Sequence, residues 1–210
     1  MLYPRILKPV SDRIFAASGL LLLSPVLLIA ALAIRMKMGT PVVFRQTRIG
    51  RLDKPFLFLK FRSMTDEKGA DGKLLPDDKR LTPFGKFLRS SSLDELPQLW
   101  NVARGEMSLI GPRPLLPEYL PRYSAFERRR HEVSPGITGW AQVKGRNQLS
   151  WSEKFRLDVF YVDHLGLRLD LQILWMTVCA VLGRRGISQQ GHVTMTPFLG
   201  SDVHSLDRNE

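Results

Sequence analysis

The sequence predicts a helix-rich α+β chain. It begins with an N-terminal re-entrant membrane helix–break–helix. A small cytoplasmic domain follows, with amphipathic interfacial helices and a short β-hairpin. Three observations carry this expectation. The run from Ile14 to Ile34 holds no charged residue and is split near its middle by Ser24-Pro25. Two short apolar segments, Pro41 to Phe44 and Phe56 to Phe61, flank the turn-like Ile49-Gly50-Arg51-Leu52-Asp53. Beyond them, helical patterns alternate with Gly- and Pro-rich breaks.

Composition sets the frame. Hydrophobic residues make up 44% of the 210 and charged ones 24%, which excludes a disordered chain. Lys and Arg number 31 against 20 Asp and Glu, a formal charge of +11. That excess points to an anionic partner: nucleic acid, an anionic lipid surface or a phosphate-bearing substrate. The single cysteine, Cys179, permits no internal disulfide and favours a reducing compartment. By length and composition the chain divides into a re-entrant hairpin over 1–38, one domain over 39–185 and a loose tail over 186–210.

The apolar run would be about 32 Å long as a helix, enough to cross a bilayer core. Pro25 argues against a straight span, because it deletes one backbone hydrogen bond and clashes with the carbonyl four residues back. Ser24 can satisfy part of the freed backbone by bonding to it. Both flanks are cationic, with Arg5, Lys8 and Arg13 before and Arg35 and Lys37 after. A spanning helix would send one of these clusters outward, against the positive-inside bias. A hairpin keeps both on one side. A signal peptide fits poorly with a core split by proline, and a buried helix fits poorly with an all-round apolar surface.

Asp66 to Arg80 is polar and Gly/Asp-rich, an exposed loop without calcium-loop spacing. Pro83 to Ser90, Asp94 to Arg104, Tyr123 to Glu132 and Ser152 to Leu165 read as helices. Leu171 to Leu182 is too short to span and reads as a core or interfacial helix. Ser134 to Asn147, "SPGITGWAQVKGRN", reads as a Gly-rich loop whose N–H groups could approach a pyrophosphate.

The candidate site centres on Asp94-Glu95 in "SSLDELPQLWN". Pro97 suits the first turn of a helix, so Asp94 sits near a positive helix end that favours an ionised carboxylate, as an attacking oxygen requires. A second reading accounts for the same residues: Ser92-x-x-Glu95 matches a capping box. Lys60, Arg62, Lys86, Arg89, Arg113 and Arg146 lie in short apolar or Gly/Pro-rich segments rather than on long solvated faces, which suits an anion pocket. Arg113 is set between two prolines, so less entropy is lost when it clamps a phosphate. The run Arg128-Arg129-Arg130-His131 reads as a surface against anionic headgroups. No histidine shows metal-ligand spacing, and G-x-G-x-x-G, G-x-x-x-x-G-K-[ST] and D-x-D are all missing. Dinucleotide binding and P-loop hydrolysis therefore lack support. Nucleic-acid binding does too, since basic residues do not interleave with aromatics.

At this point the residues resemble a known family. The broken hairpin, "KFRSM" (60–64), "LDELPQLWNV" (93–102), "MSLIGPRPLLPEYLP" (107–121) and "PGITGWAQVKGRN" (135–147) resemble the bacterial sugar transferases, the monotopic polyprenyl-phosphate phosphoglycosyl transferases. The likeness runs from about residue 4 to 185 and looks like their minimal catalytic form. It implies transfer of a sugar 1-phosphate from a UDP-sugar to polyprenyl (undecaprenyl) phosphate at the cytoplasmic face of a bacterial inner membrane, among its lipids, releasing UMP. It implies Asp94 as the nucleophile that forms a covalent phospho-sugar. It implies Glu95 as a Mg²⁺ ligand or proton handler, with Asp94 also able to serve the metal. Lys60, Arg89, Arg113 and Arg146 map onto basic motif positions that hold phosphates or uridine. Ser24 and Pro25 form the membrane break. The tail "GRRGISQQGHVTMTPFLG" resembles those of enzymes taking N-acetylated deoxy amino sugars. Two rival functions are a glycosyltransferase acting on a lipid-linked acceptor, which would release UDP, and a non-catalytic basic membrane adaptor.

Overall fold

The computed structural model describes residues 2–145, 148–183 and 197–200. A single π-helical turn, Tyr3–Leu7, leads into α1 (Lys8–Leu22), and α2 (Ser24–Met38) follows after one residue. The pair is bent by 63°. The hinge is Leu23 rather than Pro25 itself, because Pro25 falls in the first turn of α2, where its missing N–H breaks no bond. Ser24 Oγ donates to Leu21 O at 2.8 Å and recovers one carbonyl left open by the break. Among the described residues no single helix is long and apolar enough to cross a membrane, while the bent pair together is.

Each hairpin helix buries only a thin stripe. Ala16 of α1 packs with Phe58, Val102 and Met107, and Ala30 and Ile34 of α2 pack with Phe61 and Leu88. Ile14, Phe15, Leu21, Leu22, Leu28, Ile29 and Leu32 remain exposed. Together they form a wide exposed apolar surface.

The strands β1 (Val43–Ile49) and β2 (Pro55–Phe61) pair antiparallel, Val43 opposite Phe61 and Ile49 opposite Pro55. The first strand is longer than the expected Pro41 to Phe44. Its polar residues alternate, with Arg45 and Thr47 outward and Gln46 and Arg48 half-buried, so half of each pair is solvated without ending the strand. Asn101 closes the inner edge of β2. Its amide donates to Leu57 O at 2.7 Å and accepts from Leu59 N at 3.2 Å, standing in for a third strand.

Next come a short α3 (Asp77–Arg80) in the exposed loop, α4 (Pro83–Ser90), a 3₁₀ turn (Leu93–Glu95), α5 (Gln98–Ala103) and β3 (Ser108–Ile110). A 3₁₀ segment over Pro117–Arg122 precedes α6 (Ala125–Arg128), which continues as a 3₁₀ turn over Arg129–Glu132. The Gly-rich segment is not an open loop. It forms β4 (Gly136–Thr138), parallel to β3, and α7 (Trp140–Lys144). Its glycines serve close approach of backbones: a Cβ on Gly136 would lie 2.1 Å from Gly111 N, and one on Gly139 2.1 Å from Gly111 O. No phosphate cradle is needed to explain them.

The chain ends in α8 (Trp151–Asp163) and α9 (Leu167–Leu182). Ile173 of α9 is fully buried beside Ile110, Trp140 and Tyr161, while Leu171, Leu174 and Trp175 are exposed. Most of the expected loose tail lies outside the described residues. Phe198 does not fit that expectation, because it is fully buried among Tyr119, Trp151 and Phe155.

The basic run also departs from the expected headgroup surface. Arg130 is buried and bonds Asp158 at 2.7 Å, Arg128 pairs with Asp53 at 2.6 Å, and Arg129 pairs with Asp163. His131 meets Asp53 at 2.6 Å, and its burial lowers its pKa to about 4. Acidic partners from distant segments neutralise the run, which sequence spacing does not reveal.

One buried polar cluster ties the N-terminus to the domain. Lys8 Nζ lies 2.9 Å from Asp170 and 3.5 Å from Asp12. Tyr3 and Tyr161 hydroxyls donate to Asp170 at 2.6 and 2.7 Å, and Ser108 Oγ donates to Asp12. Removing one partner of such a cluster strands buried charge. Lys8→Met should therefore destabilise the protein by about 3–5 kcal/mol in a thermal or denaturant melt in detergent, and adding Asp170→Asn should recover part of the loss. A melt unchanged by Lys8→Met would show that the cluster carries no stability.

Candidate active site

Four segments build the site. β2 presents Lys60 beside the ring of Phe44, its cross-strand partner, with Nζ 5.2 Å from the ring centroid. The chain leaving β2 meets α4 closely, since a Cβ on Gly85 would lie 1.8 Å from Ser63 O. That approach lets Arg89 Nε donate to Ser63 Oγ at 2.9 Å and holds its guanidinium over the site. After α4 the backbone of Ser92 turns left-handed, at φ 57° and ψ 15°. This non-glycine strain redirects the chain into the 3₁₀ turn that carries Asp94 and Glu95.

The capping box is not formed. Ser92 makes no side-chain cap, and α5 starts only at Gln98, after Pro97. Asp94 therefore does not sit at the expected helix N-terminus, whose positive end was to favour its ionised form. Asp94 is 6% exposed and has no ion pair within salt-bridge distance among the described residues. Burial, with Glu95 next to it, pushes its pKa up to about 6, against the opposing pull of Lys60, Arg89 and Arg113. Burial and the charge of Arg89 bring the Lys60 ammonium down to about 8.

Arg113 comes from the turn after β3. Its Nη2 donates to Glu95 Oε1 at 2.8 Å. Two other arginines hold its backbone: Arg130 donates to Arg113 O at 2.7 Å, and Arg48 reaches Pro114 O at 3.5 Å. The structure thus brings Asp94, Glu95, Lys60, Arg89 and Arg113 together. Arg62 does not join them. It is buried, donating to Thr40 O at 2.8 Å and to Asp66 at 3.1 Å, and so fastens the loop after β2. Lys86 lies on the exposed face of α4. Arg146 lies outside the described residues.

Sequence reading passed over three neighbours. Arg48 and Lys154 both sit close enough to Arg113 for its charge to lower their pKa values, to about 10 and about 8, with burial the larger cause. The alternation of Phe44, Gln46 and Arg48 on one face of β1 could have flagged the first; nothing local marks the second. Gln98, fully buried one turn beyond Asp94, has no hydrogen-bond partner for either amide atom among the described residues.

A buried carboxylate without a paired cation weakens the fold. The Asp94 pKa is raised from 3.8 to about 6, so the native state binds this proton more tightly than the unfolded chain does. Stability is greatest below the unfolded value and falls as pH rises to the folded one, leaving a cost of about 2–3 kcal/mol at pH 7. Asp94→Asn should remove that cost and raise the melting temperature at pH 7, the gain vanishing below pH 4. A variant that melts lower than wild type at pH 7 would contradict this account.

The arrangement is a buried acid surrounded by cations on separate segments, suited to bringing a carboxylate to a negatively charged phosphoryl group. Comparison with known proteins points the same way. The bacterial sugar transferase family model matches residues 3–184. A Bacillus subtilis protein, "Uncharacterized sugar transferase EpsL", is 53% identical over 201 residues, covering 95% of this chain and 100% of that protein. Two "UDP-glucose:undecaprenyl-phosphate glucose-1-phosphate transferases", from Xanthomonas campestris and Escherichia coli, are 40% and 41% identical. Their alignments cover 85% and 83% of this chain but only 39% and 40% of those longer proteins. With nearly the whole chain matched, this protein belongs to the bacterial sugar transferase family.

Proposed function

We propose that the chain transfers a sugar 1-phosphate from a UDP-sugar to polyprenyl phosphate, through a covalent phospho-sugar on Asp94. The observation that carries this reading is the Asp94 carboxylate itself: buried, free of direct ion pairs among the described residues, and faced by Lys60, Arg89 and Arg113. A desolvated carboxylate is a stronger nucleophile than a solvated one, and with a pKa near 6 it is still mostly ionised at pH 7. An Asp94 oxygen attacks the β-phosphorus as the bond to the bridging oxygen breaks. UMP leaves with that electron pair. A phosphate oxygen of the polyprenyl phosphate then attacks the same phosphorus and restores the carboxylate. Arg113, held by Glu95 and a rigid turn, and Lys60 and Arg89 balance charge on the phosphoryl oxygens.

The donor set also suits Mg²⁺. That ion is commonly held by one or two carboxylates, with water and substrate phosphate completing its shell. Asp94 and Glu95, adjacent in the 3₁₀ turn, would be those carboxylates. When bound, the ion would neutralise charge on the diphosphate.

We further place the bent α1–α2 pair in one leaflet at the cytoplasmic face of the bacterial inner membrane. Its exposed apolar faces and its cationic ends support this. In a Cys179→Ser background, cysteines at Arg5 and Lys37 should react with an impermeant reagent from the same side; reaction from opposite sides would refute the hairpin.

The reaction is tested without lipid acceptor. Protein with UDP-sugar and Mg²⁺ should release up to one UMP per site and gain the mass of one sugar phosphate on the Asp94 peptide, labile to hydroxylamine. Asp94→Asn should abolish both signals. The panel begins with UDP-glucose, the donor named for two relatives, and includes N-acetylated amino sugars. Across pH, kcat/KM for the donor should rise through an apparent pKa near 6 and fall through one near 8, tracking Asp94 and Lys60. UMP release only in the presence of lipid, with no adduct, would demote Asp94; release of UDP would favour the glycosyltransferase reading.

A further inference from the structure

We propose that Phe198 is a positioning residue for the site: its ring closes an aromatic socket that locates Arg130, and through Arg130 it holds the backbone of Arg113. The inference deepens the reading above and rests on it, since it takes Arg113 as a cation that meets the donor.

One side chain from near the end of the sequence is inserted into the domain. Phe198 is 1% exposed, whereas the adjoining Leu199 is 61% exposed. Of these two apolar side chains only the first is taken into the fold. Four rings receive it. Phe155 meets it edge-on, with 5.1 Å between centroids and an interplanar angle of 78°, and Tyr119 does so at 5.7 Å and 79°. Tyr123 stacks on it at 5.7 Å, and Trp151 lies tilted at 5.5 Å. Arg122 adds a polar latch, its Nη1 donating to Phe198 O. Aromatic pairs favour a few relative placements, so each of these rings has its position restricted by Phe198.

Phe155 links the socket to the site. The Arg130 guanidinium lies over its ring, 5.6 Å from the centroid. Phe155 and Asp158 are three residues apart on α8 and so share a face. Arg130 donates to Asp158 through Nε at 3.0 Å and Nη2 at 2.7 Å, and Nη2 also donates to Arg113 O at 2.7 Å. One guanidinium is thus located by a ring, a carboxylate and the carbonyl that it holds. A second socket ring, Tyr123, meets His131 edge-on at 5.4 Å, and His131 is bound to Asp53 at 2.6 Å. Phe198 therefore stands behind two consecutive residues of the 3₁₀ turn, the first of which grips Arg113.

Removing the Phe198 ring takes a packing partner from both Phe155 and Tyr123, which would lean into the space or admit water. The Arg130–Asp158 pair would loosen, and its hold on the Arg113 carbonyl with it. The Arg113 side chain would keep its charge but lose the fixed base from which it reaches Glu95 at 2.8 Å. More conformational freedom would then be lost when it meets an anion.

The test is a double-mutant cycle on the full chain in detergent, with kcat/KM for the UDP-sugar as the readout. Phe198→Ala should lower it about tenfold in the wild-type background and in Lys60→Ala, but less than about twofold in Arg113→Ala, where the side chain to be positioned is already gone. Phe198→Leu, which refills most of the socket, should recover most of the loss, and Leu199→Ala should behave as wild type. An equal loss in all three backgrounds would be that of fewer folded molecules and would overturn the inference. Amide hydrogen exchange gives a readout that needs no turnover. In Phe198→Ala, peptides over 108–119 and 125–138 should exchange faster while those of α1 and α2 keep the wild-type rate. Exchange unchanged over 108–119, or raised evenly along the chain, would also overturn it. Faster exchange confined to those peptides, in a protein releasing no UMP from any donor, would keep the link from Phe198 to Arg113 and remove the proposed reaction.

Discussion

The structure depends first on one buried ion cluster. Lys8, at the start of α1, is bracketed by Asp12 and Asp170, and the acids are in turn held by Ser108, Tyr3 and Tyr161. These groups come from α1, α8, α9, β3 and the N-terminal turn, so the cluster sets where α1 lies. α1 then supports α5. Gly105, at φ 77°, leaves room for Arg13, since a Cβ there would lie 2.3 Å from Arg13 Nη2, and a Cβ on Gly19 would lie 3.5 Å from Leu99 Cδ1. The 3₁₀ turn carrying Asp94 leads directly into α5. Buried charge is a poor source of stability compared with apolar packing, but it tolerates few alternative arrangements. Here it adds a polar anchor at the start of a helix that also packs on α5 through Arg13, Ala16 and Gly19.

The second constraint is the turn from Gly111 to Pro114. Gly111 packs against Gly136 and Gly139 at distances that admit no side chain, and the two prolines around Arg113 limit its backbone. Arg130, itself neutralised by Asp158, then bonds the Arg113 carbonyl. A long, flexible cation is thus mounted on a stiff base. Less conformational freedom remains to be lost when it meets an anion.

Much of this was legible in the sequence, and the misses share a cause. The apolar run split at Ser24-Pro25, the helix Pro83–Ser90 and the cluster of Lys60, Arg89 and Arg113 around Asp94 all follow from local pattern. Local pattern failed wherever the deciding partner was far along the chain. Arg128 to His131 looked like a lipid-facing surface because Asp53, Asp158 and Asp163 are invisible to spacing. The Gly-rich segment looked like a phosphate loop because its partner, Gly111, is distant in sequence. Ser92-x-x-Glu95 looked like a cap because the pattern does not reveal a left-handed Ser92. Arg62 looked equivalent to Lys60, yet the two lie on either side of the strand end, one fastening a loop and one facing Asp94.

The last step concerns why the site is made of parts that oppose one another. Asp94 is desolvated, which costs stability in its charged form, and the cations near it stop short of ion-pair distance. Were Lys60 or Arg89 to pair with it directly, its pKa would fall and the fold would gain, but its lone pairs would be engaged. Instead the direct pairing is given to Glu95, through Arg113. Adjacent carboxylates of like type are thereby set to different tasks: one anchors a cation and the other is left chemically available. The separation follows from burial and from the αL turn at Ser92, which sends the two side chains to different neighbours. A strained backbone and an unpaired buried acid at the same place are unfavourable to folding. Their coincidence is what the proposed reaction at Asp94 would require.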